Sequence, residues 1–329
     1  VATVLIEGWD HLAASQLTVK GWSATGSMSM VAGRFDGQAL QINNPGGTSN
    51  QNKTLPSSYS TIIGGFAVKF NTLGSGVFFM LRAGATSTLQ LRLTSNKLEV
   101  LNSSSTSIAT GTTTLTTGVW YYIEVKLFVN GASGTVEVHL NGTSEIASTT
   151  GNFGSSNITN FLIQQQTANI STTFDDIYAC DTSGTVNNDF LGDVRVETIF
   201  PNGDGAHTQW TPTGGGSHYT QVNETTPDGD TTYVSDSTPN DRDSYTFGDI
   251  DGNASVFGVQ VSMYARKDDA NTRQIAPVIR QGGTDYDGTT VTLSASYQFY
   301  SQLYDKDPTP AAWTAANVNA DEFGLKEVA

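Results

Sequence analysis

The chain has 329 residues, 37% of them hydrophobic, 14% charged and 10% aromatic, with 34 glycines; that length predicts two domains, each with its own core, and the aromatic content argues against a disordered chain. Thirty-one acidic against 16 basic side chains leave a net charge of −15, a field that repels phosphate backbones and speaks against a nucleic-acid partner. The single cysteine, Cys180, excludes an intramolecular disulfide framework, and no run of about 18 apolar residues marks a membrane span.

The opening residues VATVLIEGWDHL carry no basic region or cleavage site, so no secretory signal is expected. Phe66, Val68 and Phe70 then alternate with other residues, as do Leu89, Leu91 and Leu93. The run 120–129 puts Tyr121, Ile123, Val125, Leu127 and Val129 on one face and Glu124 and Lys126 on the other. Val136, Val138 and Leu140 alternate with Glu137 and His139 before an Asn141-Gly142 turn. Period 2 over short runs bounded by Gly and Asn predicts half-buried antiparallel strands and a sandwich. Cys180 follows Ile177 and Tyr178 and reads as a buried, inert thiol.

The polar stretch DTSGTVNNDFLG at 181–192 predicts a boundary, with residues 183–192 as a linker between domains 1–182 and 193–329. Beyond it a strand is expected at 193–200, then a long loop to about 248 with short strands near Tyr219 and Tyr233. Strands follow at 257–263 and 291–299, a short helix at 314–321 and a last strand at 323–328. The fold class is therefore all-β, two sandwich domains of jelly-roll type. Charge divides along the same line: residues 1–185 hold 10 acidic and 8 basic side chains, net −2, and residues 186–329 hold 21 and 8, net −13.

Several of these residues carry a resemblance. Gly33-Arg-Phe-Asp-Gly-Gln-Ala-Leu40, Trp120-Tyr-Tyr-Ile-Glu-Val, Gly134 to Gly142 and Phe174-Asp-Asp-Ile-Tyr178 together resemble the concanavalin A-like, laminin G-like jelly roll over about residues 1–182. The whole layout, with Leu191-Gly-Asp-Val-Arg-Val196, Trp210-Thr-Pro212 and a closing stretch from Trp313 to Lys326, is similar to structural proteins of tailed-phage particles. That resemblance implies a virion component among other virion proteins, as a capsid decoration, collar or tail appendage.

Retaining β-glucanases of this fold place two carboxylates on one strand as E-x-D-x-E, about 5–5.5 Å apart. No such run occurs. The nearest counterpart, Glu137-Val-His139, reads more simply as the polar face of a half-buried strand. G-x-S-x-G and P-loop patterns are also missing, so no catalysis and no cofactor are expected. The four histidines show no zinc spacing. Asp249-Ile-Asp251-Gly-Asn253 begins like a calcium loop, but Ala254 and Gln260 stand where an EF-hand needs Gly and Glu. Asp228, Asp230, Asp241 and Asp243 read either as another calcium site or, more commonly, as solvated turns. No metal is assigned.

The candidate ligand-binding residues are Trp210, Tyr219, His207 and His218, gathered in one glycine-rich loop. Such a loop either stacks on a sugar or pins itself with a local aromatic cluster. Two functions from different classes follow: a non-enzymatic virion component, or a carbohydrate-binding adhesin for host-surface glycan. A homo-oligomer is expected, with its contacts on the nearly neutral first domain.

Overall fold

The computed structural model describes residues 2–45 and 47–329. Contacts divide the chain into two compact units, residues 1–196 and 197–329. Both are β structures, and no helix among the described residues is long and apolar enough to cross a membrane.

The first unit is a jelly-roll sandwich of two antiparallel sheets. The seven-stranded path of one runs in the order Thr143–Gly151, Gly134–Leu140, Trp120–Phe128, Thr61–Thr72, Ser171–Cys180, Gln38–Ile42, Met28–Ala32, and Thr3–Glu7 adds an eighth strand against Ser171–Cys180. The other has seven strands in the order Ser107–Thr110, Lys97–Leu101, Thr86–Thr94, Gly76–Ala83, Ile158–Gln165, Ser49–Tyr59, Trp22–Thr25. The alternation seen in the sequence sets the core: Phe66 of the first sheet stands 4.7 Å from Phe79 of the second, and Phe79 stands 4.8 Å from Phe161. All three rings are fully buried, and offset or edge-on contact adds to their burial.

A bulge in the strand Ser171–Cys180, between Asp175 and Tyr178, turns Asp176 to φ +50°, a conformation Asp tolerates better than most residues. The bulge aims two carboxylates at neighbouring backbone. Asp175 accepts from the Arg34 amide at 2.8 Å, and Asp176 from the Val196 amide at 2.8 Å.

Residues 183–192, expected as a linker, lie against the outer face of the eight-stranded sheet. Phe190, Leu191 and Val194 pack on a second cluster of Ile63, Ala67, Tyr122, Tyr178 and Cys180. Glu124, fully buried, accepts from the Leu191 and Gly192 amides at 3.0 and 2.8 Å and from the Tyr178 hydroxyl at 2.5 Å. The strand expected at 193–200 does not form. The Val196 amide is spent on Asp176, and the Val194 carbonyl accepts from Arg34, which takes these backbone groups out of any ladder.

The second unit is built on a sheet ordered Pro201–Thr208, Arg242–Phe247, Glu322–Glu327, Gln274–Gln281, Thr284–Asp287, with Val291–Thr292 also paired to Gln274–Gln281. The strand Val259–Ala265 pairs only with Gln298–Tyr304, as a separate two-stranded ribbon. Val259, Val261 and Tyr304 pack on Ile279, Trp313, Val318 and Phe323 of this unit's core. The single strand expected at 291–299 is broken in two. Ser294 and Ser296 bond to each other, the Ser296 amide donating to the Ser294 hydroxyl at 3.0 Å, and local side-chain bonds of this kind compete with a ladder. The helix Ala315–Ala320 forms where expected, its first turn capped by Thr314, whose hydroxyl accepts from the Asn317 amide at 3.1 Å.

Candidate functional site

Strand alternation gives the seven-stranded sheet a second face, turned away from the core. Leu81, Leu89, Leu91, Phe161 and Ile163 point inward, so Arg82, Met80, Gln90, Arg92, Asn160, Leu162 and Gln164 point outward. The register lines them up in rows. Leu101, Gln90, Met80, Leu162, Asn52 and Ser23 stand side by side across six strands, and Arg82, Asn160 and Thr54 form the row beside them. Outward residues of a sheet are usually open to water. These are not: Leu162 is 2% exposed, Gln90 and Gln164 5%, and Asn160 7%. These outward side chains are shielded from water.

The chemistry of the face is that of polar groups around an apolar strip. Gln90 donates to the Ser105 hydroxyl at 2.9 Å and Asn160 to the Thr54 hydroxyl at 3.3 Å, while Asn160 accepts from Thr159 at 2.7 Å. Arg92 is paired with Glu99. Burial alone would raise the Glu99 carboxyl, but hydrogen bonds from Arg92 and Ser107 outweigh it and hold it below its ordinary value. Arg82 donates one terminal nitrogen to the Ala85 carbonyl. Its Nε, like Asn52 Oδ1, is buried without a hydrogen-bond partner in the protein. A buried donor and a buried acceptor left unmade are costly in free energy and suit a ligand that supplies both, as sugar hydroxyls do.

The four residues chosen from the sequence lie in the second unit, and the structure brings only some of them together. Trp210 is 8% exposed, and its indole donates to the Asp241 carbonyl at 3.3 Å. His218 meets both oxygens of Asp243 through Nδ1, at 3.0 and 2.9 Å, and the Trp210 amide reaches the same carboxylate at 3.4 Å. Tyr245 donates its hydroxyl to Asp243 at 2.7 Å. Burial pushes the fully buried Asp243 carboxyl up, against these hydrogen bonds, which favour its charged form. His207 belongs elsewhere, with Nε2 at 2.9 Å from Asp285. Tyr219 is half-buried, and its amide donates to Asp204 at 2.7 Å. The indole is thus turned inward to hold its loop.

Glu137 and His139 meet each other at 3.0 Å, and the imidazole stacks on Phe190 at 3.9 Å. Among the described residues no three His, Cys, Asp or Glu side chains converge as metal ligands would. Asp228 accepts from the Thr232 amide, Asp230 from Arg266, Asp241 from Gln209 and Asp243 from His218, so each has its own partner.

No family model matches the chain, and neither does any curated protein. Solved structures do. An alginate lyase, AlgAT5 of polysaccharide lyase family 7, is 12% identical with a TM-score of 0.37, over 51% of this chain and 98% of its own. A Bacillus subtilis protein of galectin-like fold is 14% identical with a TM-score of 0.39, over 55% and 96%. Lectin II from Ulex europaeus is 14% identical with a TM-score of 0.36, over 54% and 97%. Similarity at this level concerns the fold alone. It does correct one expectation: the missing E-x-D-x-E run excludes a single glucanase arrangement and not catalysis, because an alginate lyase stands among the structures of this fold.

Proposed function

We propose that the first unit binds carbohydrate on the outer face of its seven-stranded sheet. The observation that carries this reading is the burial of the outward side chains Gln90, Leu162, Asn160 and Gln164, with Arg82 Nε and Asn52 Oδ1 buried and unpartnered beside them. Pockets that recognise ligands pair an apolar floor with a few placed polar groups. The test is a glycan array followed by calorimetry on the full chain. Arg82→Ala and Asn52→Ala should each weaken binding about tenfold or more, the scale of a lost hydrogen bond at a buried site. If Trp210→Ala abolishes binding while the face variants leave it intact, the loop of the second unit is the site instead.

The particle setting is the second part of the proposal. A glycan-binding sandwich suits a virion appendage that meets a host surface, and the layout from Leu191-Gly-Asp-Val-Arg-Val196 to Lys326 supports it. Mass spectrometry of purified particles tests this directly. Particles complete without the chain would remove the virion reading and leave the glycan reading untouched.

A further inference from the structure

Arginines in this chain are matched to carboxylates. Arg34 pairs with Asp176 and Asp193, Arg92 with Glu99, Arg195 with Asp36 and Arg242 with Asp287. Arg266 pairs with Asp230, Arg273 with Asp269 and Arg280 with Asp285. Among the described residues Arg82 is the exception. It donates one terminal nitrogen to the Ala85 carbonyl, a neutral acceptor, and its Nε is buried with no partner in the protein. The chain holds 31 acidic side chains against 16 basic ones, so an arginine without a carboxylate stands out against an excess of acceptors.

The surroundings of Arg82 are neutral as well. In register it stands between Asn160 and Ser87, with Thr54 beyond Asn160. The Thr159 hydroxyl accepts from the Gly84 amide at 2.8 Å and donates to Asn160 Oδ1 at 2.7 Å, and the Asn160 amide donates in turn to Thr54. This chain of hydrogen bonds passes the guanidinium by.

The face as a whole has the same sign. Register sets Lys97 beside Thr94 and Glu99 beside Arg92, all on the outward side. The outward residues of the seven strands therefore hold three basic side chains, Arg82, Arg92 and Lys97, and one acidic, Glu99, a net of +2 on a chain of net −15. Lys53, the one other charged strand residue of this sheet, is opposite the inward Phe161.

We propose that the sugar taken by this face carries an acidic group, a carboxylate or a sulfate ester, held by the Arg82 guanidinium. This rests on the carbohydrate reading above and narrows it. A neutral hydroxyl would satisfy Nε and leave the charge unanswered. An oxyanion answers both, and the planar fork of a guanidinium matches two of its oxygens. Shielding from water strengthens such a pair, and a positive face draws an acidic ligand to this one place on a protein that repels it elsewhere.

The test is a glycan array of neutral, uronate-bearing and sulfated oligosaccharides on the full chain, followed by titration of each acidic hit beside its carboxyl-reduced or desulfated counterpart. The acidic form should bind about tenfold or more tightly than the neutral one, the scale of a hydrogen bond to a charged group. Arg82→Gln should bind the two forms alike, and Arg82→Lys, which keeps the charge without the fork, should fall between. Should Arg82→Gln fail to fold, the wild-type comparison and Arg82→Lys carry the test. Preference lost on carboxyl reduction identifies a uronate, and preference lost on desulfation a sulfated sugar. Hits confined to neutral glycans overturn the inference, as does an acidic preference that survives in Arg82→Gln. In either case binding that weakens on Asn52→Ala keeps the carbohydrate reading, whereas no glycan bound at all removes both.

Discussion

In the first unit the polar residues of the strands are set around a continuous apolar core, while in the second unit polar groups take over much of the core's task. Phe66, Phe79 and Phe161 meet across two sheets. Among the described residues the second unit has no stack of three fully buried rings, its Tyr297–Tyr264–Phe299 stack being only partly buried, and it turns to carboxylates instead. Asp243 holds Trp210, His218 and Tyr245, and Asp307 accepts from the Thr309 and Ala311 amides at 2.9 Å and from Asn317 at 3.0 Å. Packing is non-directional and tolerates small shifts, whereas a carboxylate network is satisfied in one arrangement only. The first unit therefore supplies a rigid platform for a ligand face, and the second a loop-rich body whose shape depends on buried charge.

That contrast can be broken first in the core. Phe161→Ala should cost the first unit about 3–5 kcal/mol, as large-to-small changes at fully buried rings do. Denaturant unfolding followed by fluorescence should show the transition of that unit moving alone, with that of residues 197–329 unchanged. A shift shared equally by both would show that the units do not unfold independently. In the second unit, Asp243→Ala strips the acceptor from a tyrosine hydroxyl, an imidazole and an amide, at a cost of about 3 kcal/mol. Limited proteolysis should then cut within 209–222 before the rest of the chain, and an intact loop would refute the anchoring role of Asp243.

A smaller effect follows pH. Burial, with Asp176 beside it, pushes the Asp175 carboxyl up to about 8. A carboxyl raised in the folded state contributes stability that is full below its unfolded value and lost as pH rises through its folded one. The first unit should thus lose stability from about pH 4 to about pH 8. Asp175→Asn should flatten that slope in thermal melts taken across the range, and a slope unchanged by the substitution would locate the titration elsewhere. Smallest is Thr314→Ala at the helix cap, expected to cost about 1 kcal/mol and to move only the transition of the second unit.

The same difference decided what could be read in the sequence. Trp120–Phe128 announces itself because Tyr121, Ile123, Val125 and Leu127 alternate with polar residues and are in fact buried. Glu124 belongs to the polar side of that alternation yet is fully buried, because the cover comes from Leu191 and Gly192, 67 and 68 residues away. No local period encodes that. Pro201–Thr208 went unrecognised because PNGDGAHT has neither alternation nor β-branched residues beyond its last threonine. Its pairing with Arg242–Phe247 is tertiary in origin. The candidate face escaped for a related reason. Gln90, Asn160 and Gln164 look like ordinary outward residues of half-buried strands, and only the assembled fold shows that they are shielded from water. Trp210 was legible as an aromatic in a glycine-rich loop, but its indole is held by the Asp241 carbonyl and its backbone amide by Asp243, about 30 residues further on.

Where a glycan sits separates the roles of the two units most directly. Calorimetric titration of the wild type, Arg82→Ala and Trp210→Ala with the same array-selected oligosaccharide settles that. Binding weakened about tenfold or more by Arg82→Ala and unchanged by Trp210→Ala is the predicted result. Binding indifferent to Arg82→Ala, or no oligosaccharide bound at all, would contradict it.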